Sequence, residues 1–121
     1  EDYPLENGMR IIQETVPGRQ VTLAHIIASP APILYQKLGL DPSLDYDKAA
    51  IGISTVTPSE TAVIMADIAM KSSGAQIGFV DRFSGTLIFT GTVSEVETAM
   101  DAMLTYVSEK LNHTVCEITK T

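Results

Sequence analysis

At 121 residues the chain is long enough for one domain with a real core and too short for two. Hydrophobic residues make up 45 % and charged residues 19 %, which is apolar for a small domain and points to burial between subunits. No run approaches the roughly 18 apolar residues of a membrane span. The net charge of −7, with only 8 Lys+Arg and no basic cluster, argues against nucleic acid and against an anionic membrane surface as partners. Cys116 is the single cysteine, so no internal disulfide is available, and the N-terminus shows no signal-peptide pattern. A reducing, cytoplasmic setting is the simplest expectation.

Residues 1 to 10, with Pro4, Gly8, several acids and little apolar content, read as a mobile tail. Ile11, Ile12, Gln13, Glu14, Thr15 and Val16 suit a short strand that Pro17-Gly18 stops. Such a strand presents unpaired backbone groups, so pairing with another subunit or around a symmetry axis is expected. Residues 21 to 28 (VTLAHIIA) form a stronger strand, and Pro30 and Pro32 introduce a short peripheral helix that stops at Gly39. The aspartate-rich stretch 40 to 49 reads as a loop joining two parts of the fold.

From Ala50 onward the pattern is regular. AIGISTVT is a strand, and Thr57-Pro58-Ser59-Glu60 has the form of a capping box opening a helix that runs through Ser73. That helix is apolar nearly all round, except at Asp67 and Lys71, so burial on more than one side is expected. Residues 75 to 92 form a hairpin whose turn is Asp81-Arg82-Phe83-Ser84-Gly85. Ser94 and Glu97 suggest a second capping box. Val96, Met100, Met103, Leu104, Val107 and Leu111 then recur at spacings of three and four, as on an amphipathic helix ending near Asn112. Residues 114 to 119 alternate like a final strand. The order β-α-β-β-α-β predicts an α+β sandwich of the ferredoxin-like kind, an antiparallel sheet with helices on one face, preceded by a β-β-α unit.

The residues offer little chemistry. His25 and His113 have no ligand partners at metal spacing, and Cys116 has no basic neighbour to activate it. The glycines around the hairpin lack a phosphate-binding spacing, so no catalytic, cofactor or metal site is expected. Asp81 and Arg82 are compatible with a solvated turn or with a site. Lys71, at the end of its helix, suits either the helix dipole or an interface.

The run from Ala50 to Met103 resembles the bacterial microcompartment (BMC) domain, and the joint occurrence of VPGRQVTLAH, TPSET and GFVDRFSG resembles its circularly permuted subclass, the EutS/PduU/CutR type of ethanolamine, propanediol and choline utilisation compartments. The likeness covers residues 11 to 121 as one permuted domain. It implies a non-enzymatic shell protein in a cytoplasmic microcompartment, forming homohexamers that tile with other shell proteins around encapsulated enzymes. It also implies that Arg82, Phe83, Ser84 and Gly85 rim a central pore and that Ile11 to Val16 join five copies in a small barrel capping it. Lys71 would lie at the hexamer edge. The Arg-Pro-His stretch that follows the last strand in many unpermuted members is absent, which leaves the edge partner of Lys71 open, as it does whether the front strand or residues 114 to 119 take the last sheet position. A ligand-binding or regulatory ferredoxin-like dimer is the alternative.

Overall fold

A computed structural model describes residues 15–121; the expected tail and residues 11 to 14 of the expected barrel strand lie outside them. In chain order the elements are β1 (Gln20–Ile27), α1 (Ile33–Lys37), β2 (Ala50–Thr57), α2 (Thr61–Ser72), β3 (Gln76–Asp81), β4 (Thr86–Gly91), α3 (Val93–Leu111) and β5 (Thr119–Lys120). The five strands form one open sheet in the order β3-β4-β2-β1-β5. All neighbours are antiparallel except β1 and β5, which run parallel, so the sheet is mixed where the sequence predicted an antiparallel one.

Alternation along the strands explains the two faces. Val21, Ala24 and Ile26 of β1, Ala50 and Val56 of β2, and Leu87 and Phe89 of β4 point to one face. There they meet Ala62, Met65 and Ala69 of α2 and Val96, Ala99, Met100, Met103 and Val107 of α3 in a single buried core. Gly52 lies directly under Phe89, its register partner across β2 and β4. A Cβ at Gly52 would stand 2.4 Å from the Phe89 ring, so the absence of a side chain there is what lets the ring sit flat against the sheet. On the opposite face Ile51 and Ile88 are covered by Leu34, Tyr35 and Leu38 of the α1 region and by Leu40 and Tyr46 of the following loop. The helix at 33 to 37 is thus short, as expected, but it closes a second, smaller core.

Three local expectations are corrected. The helix predicted from Pro58 begins at Thr61, and Thr57 does not cap it. The amides of Thr61, Ala62 and Val63 donate to the carbonyls of Pro58, Ser59 and Glu60, at 3.0 to 3.1 Å, so a backbone turn leads into the helix and its first amides lie beyond the second and third residues that a Thr57 cap would serve. The second capping box is real but sits two residues earlier: Thr92 Oγ1 accepts from the Glu95 amide at 3.1 Å and Glu95 Oε1 accepts from the Thr92 amide at 2.9 Å. The strand expected over 114 to 119 is reduced to β5 and one isolated bridge between Gln20 and Thr114. A register shift in β1 between Val21 and Leu23 interrupts the edge that a continuous ladder would need. Cys116 is therefore outside any strand, half-buried against the main core.

The sheet order settles which strand holds the last position. In a β-α-β-β-α-β unit starting at β2, the place beside β2 would belong to the final strand. Here β1 fills it and β5 is pushed to the outer edge, which is the arrangement expected of a permuted domain.

Candidate functional site: the 81 to 85 turn and its end of the sheet

The turn is held by one side chain. Asp81 Oδ1 accepts from the Phe83 amide at 2.9 Å and Asp81 Oδ2 from the Ser84 hydroxyl at 2.8 Å, while the Gly85 amide donates to the Asp81 carbonyl at 2.9 Å. These donors hold the Asp81 carboxyl below the usual carboxylate range, the Phe83 amide contributing most. Gly85, at φ +78°, closes the reversal, and its carbonyl accepts from the Val56 amide at 3.1 Å, which ties the turn to the end of β2. With both Asp81 oxygens directed into the turn, Arg82 and Phe83 are left to project. The Arg82 guanidinium carbon lies 5.0 Å from the Phe83 ring centroid, in cation–π range, and Phe83 is 81 % exposed. Arg82 has no ion pair with another described residue.

Strand directions place other features at this end. β2 finishes here, α3 ends here and β1 begins here, so the chain before Gln20 enters the fold beside the turn, with β2 between them. Thr15 and Val16, the described part of the expected barrel strand, carry no regular structure within the single chain, and the Val16 amide donates to the Asn112 carbonyl at 2.9 Å. Structure thus brings the four turn residues and the root of the N-terminal segment to one end. It keeps Lys71 apart, on the outer side of α2, where its Nζ pairs with Asp67 Oδ2 at 2.7 Å, one helical turn earlier. That contact pushes the Lys71 ammonium pKa up. Beside it Val63, Ile64 and Met70 are exposed, so the all-round apolar helix buries only one side within the chain.

Among the described residues no group of His, Cys, Asp and Glu is arranged to hold a metal ion, and no helix is long and apolar enough to cross a membrane. His25 is occupied by two threonines, Nδ1 to Thr119 Oγ1 at 2.6 Å and Nε2 to Thr121 Oγ1 at 2.9 Å. His113 is buried, with Nδ1 3.2 Å from the Leu111 carbonyl. At the far end of the sheet a cleft of about 1080 Å³ opens between the end of β1 and the 40 to 49 loop, lined by Tyr35, Leu40, Pro42, Leu44 and Tyr46 among others. Tyr35 and Tyr46 stack there with centroids 5.0 Å apart. Sequence reasoning missed the cleft, for no periodicity marks an irregular loop folding over a sheet. It also undervalued Asp81, although an aspartate two and three residues before the donors it serves is a readable turn signal.

An open mixed sheet with two helices on one face, a permuted front strand and a projecting hairpin turn defines a class of α+β sandwich. Residues 50–119 match the BMC domain, and relatives are similar over nearly the whole chain. The chain is 52 % identical over 114 residues to the bacterial microcompartment shell protein EutS of Salmonella typhimurium (strain LT2), covering 94 % of this chain and 98 % of that protein. It is 46 % identical over 111 residues to the shell protein CutR of Streptococcus intermedius, covering 92 % and 91 %. Among solved structures, a flat hexamer of CutR matches with a TM-score of 0.79 at 45 % identity over 93 % of this chain and 99 % of that one. CutR in a screw form matches with a TM-score of 0.76 at 42 % identity over 87 % and 100 %. The protein belongs to the BMC domain family, in its permuted EutS/PduU/CutR branch.

Proposed function

We propose that this chain is a structural shell protein of a bacterial microcompartment, forming hexamers that tile with other shell proteins around enclosed enzymes, without catalysis of its own. Residues 11 to 121 act as one permuted domain. The observation that carries the reading is the match to a CutR flat hexamer over almost the full length of both chains. The apolar outer side of α2, with Val63, Ile64 and Met70 exposed, supports it, since such a surface is costly for an isolated subunit to leave in water.

In this hexamer Arg82, Phe83, Ser84 and Gly85 rim the central pore, Ile11 to Val16 gather over it as a barrel, and Lys71 stands at the outer edge. Support for the rim comes from the projection of Arg82 and Phe83 from a turn fixed by Asp81 and Gly85. The barrel is supported by the entry of the chain at the same end of the sheet. Six Arg82 side chains near an axis would favour anions there. Sedimentation of the purified protein tests the assembly: six chains of 13.0 kDa give a species of about 78 kDa. A stable monomer or dimer at high concentration would return the ferredoxin-like dimer to first place.

A further inference from the structure

The cleft at the far end of the sheet has walls of one chemical character: aromatic, rich in acceptors and poor in free donors. Tyr35 and Tyr46 line it as a stack only 8° from parallel. Pro30, Pro32 and Pro42, also on its walls, have no amide hydrogen. The amides of Gly39, Leu40, Leu44 and Ala49 already donate to the carbonyls of Gln36, Tyr35, Asp41 and Tyr46, at 2.9 to 3.3 Å, and the Tyr35 hydroxyl donates to the Ala49 carbonyl. An anion entering the cleft would therefore find few N–H or O–H groups to replace its hydration. A cation needs none.

The local charge has the matching sign. Residues 40 to 49 carry Asp41, Asp45 and Asp47 against Lys48, which is the only cation among the described residues that line the cleft. Asp47 lines it too. Burial pushes the phenol groups of Tyr35 and Tyr46 above their ordinary value, and the negative charge of Asp47 acting on Tyr35, and of Asp41 on Tyr46, pushes the same way. The Asp41 carboxyl is itself held low by the Ser43 amide at 2.9 Å and the Ser43 hydroxyl at 2.8 Å, so it stays ionised. Aromatic rings with carboxylates beside them are the surroundings that attract a weakly hydrated organic cation. The volume of about 1080 Å³ is that of a roomy small-molecule pocket, for which roughly 300–1,000 Å³ is usual.

We propose that this cleft binds an organic ammonium ion with small apolar substituents, its charge set against the Tyr35–Tyr46 pair and balanced by Asp47. The site is complete within one chain, so it does not rest on the shell reading, and its failure leaves that reading untouched.

The test uses the purified full chain, with tetramethylammonium chloride as the probe and neopentyl alcohol as an uncharged compound of similar shape, at matched ionic strength. Saturation-transfer difference NMR of the probe methyl signal, followed as a titration, should show saturable binding of tetramethylammonium and at least several-fold weaker binding of the alcohol. Asp47→Asn should weaken tetramethylammonium binding several-fold, Tyr46→Leu by about tenfold, and Tyr46→Phe, which keeps the ring, should bind as the parent does. If Tyr46→Leu does not fold, the comparison of Asp47→Asn with the parent decides. No saturable signal overturns the proposal. Equal binding of the alcohol overturns it too, since the cleft would then be merely apolar. Unchanged affinity in Asp47→Asn or in folded Tyr46→Leu overturns it as well, by placing the cation elsewhere on an acidic surface.

Discussion

Replacing Gly85 by alanine tests how tightly the turn is welded to the sheet. The residue sits at φ +78°, where a side chain costs about 1–2 kcal/mol. Its Cβ would also stand 2.2 Å from the Val56 carbonyl oxygen and 3.2 Å from Ser59 Cα. Backbone on both sides cannot step away as a flexible side chain would, so the turn must shift and the 3.1 Å bond from the Val56 amide to the Gly85 carbonyl is lost or lengthened. That adds about 1–2 kcal/mol, for a total of about 2–4 kcal/mol. Gly18 supplies the control: its φ is +83°, but a Cβ there meets nothing within 4 Å, so Gly18→Ala bears only the conformational cost. Thermal unfolding of the hexamers should show Gly85→Ala melting about 10 °C below the parent and Gly18→Ala about half as far below. Equal shifts in the two variants would refute the claim that the Val56 contact constrains the turn.

Other expectations follow from the same geometry. Gly52→Ala pushes a methyl group into the Phe89 ring and should destabilise by about 1–3 kcal/mol in chemical denaturation, with no change at the turn. Because the Asp81 carboxyl is held low in the folded chain, its contribution is in place above the ordinary carboxylate range and is lost as pH falls through the depressed value. The Phe83 amide proton signal should accordingly titrate at a pH below that of an ordinary aspartate, and Asp81→Asn should abolish that titration; a normal midpoint would contradict the hydrogen bonding described. Lys71→Ala breaks an exposed pair with Asp67, so hexamers should persist with unaltered melting while two-dimensional sheets form poorly under electron microscopy. Unfolded subunits would rule out an edge role. Deleting residues 1 to 16 should leave a folded hexamer with a more open axis, and unchanged axial density in its structure would exclude the barrel.

The strands and long helices were legible because their side chains obey the periods of two and three to four that burial imposes. The strand at 50 to 57 matches β2 residue for residue, and Val96, Met100, Met103, Leu104 and Val107 are all buried on α3. What failed was decided by contacts distant in sequence or by competition between neighbouring groups. Thr57 and Thr92 both resemble helix caps, but Thr57 is followed by a backbone turn over residues 58 to 60 that delays the helix to Thr61, whereas Thr92 and Glu95 face each other directly. The final strand was overestimated because alternation from 114 to 119 reports which side chains face the core, as Cys116 and Ile118 do, and not whether the backbone finds a ladder. Of the site, the turn was visible as a polar, glycine-ended interruption between two apolar strands. Its end of the sheet, shared with Arg19 and Asn112, emerged only once β1 was seen to lie beside β2.

The most direct test of the account is an electron cryomicroscopy structure of the purified protein. It should show six-fold particles of about 78 kDa with Arg82 to Gly85 among the residues nearest the axis and the N-terminal segment over the same opening. Particles without six-fold symmetry, or hexamers whose 81 to 85 turns face the outer rim, would contradict it.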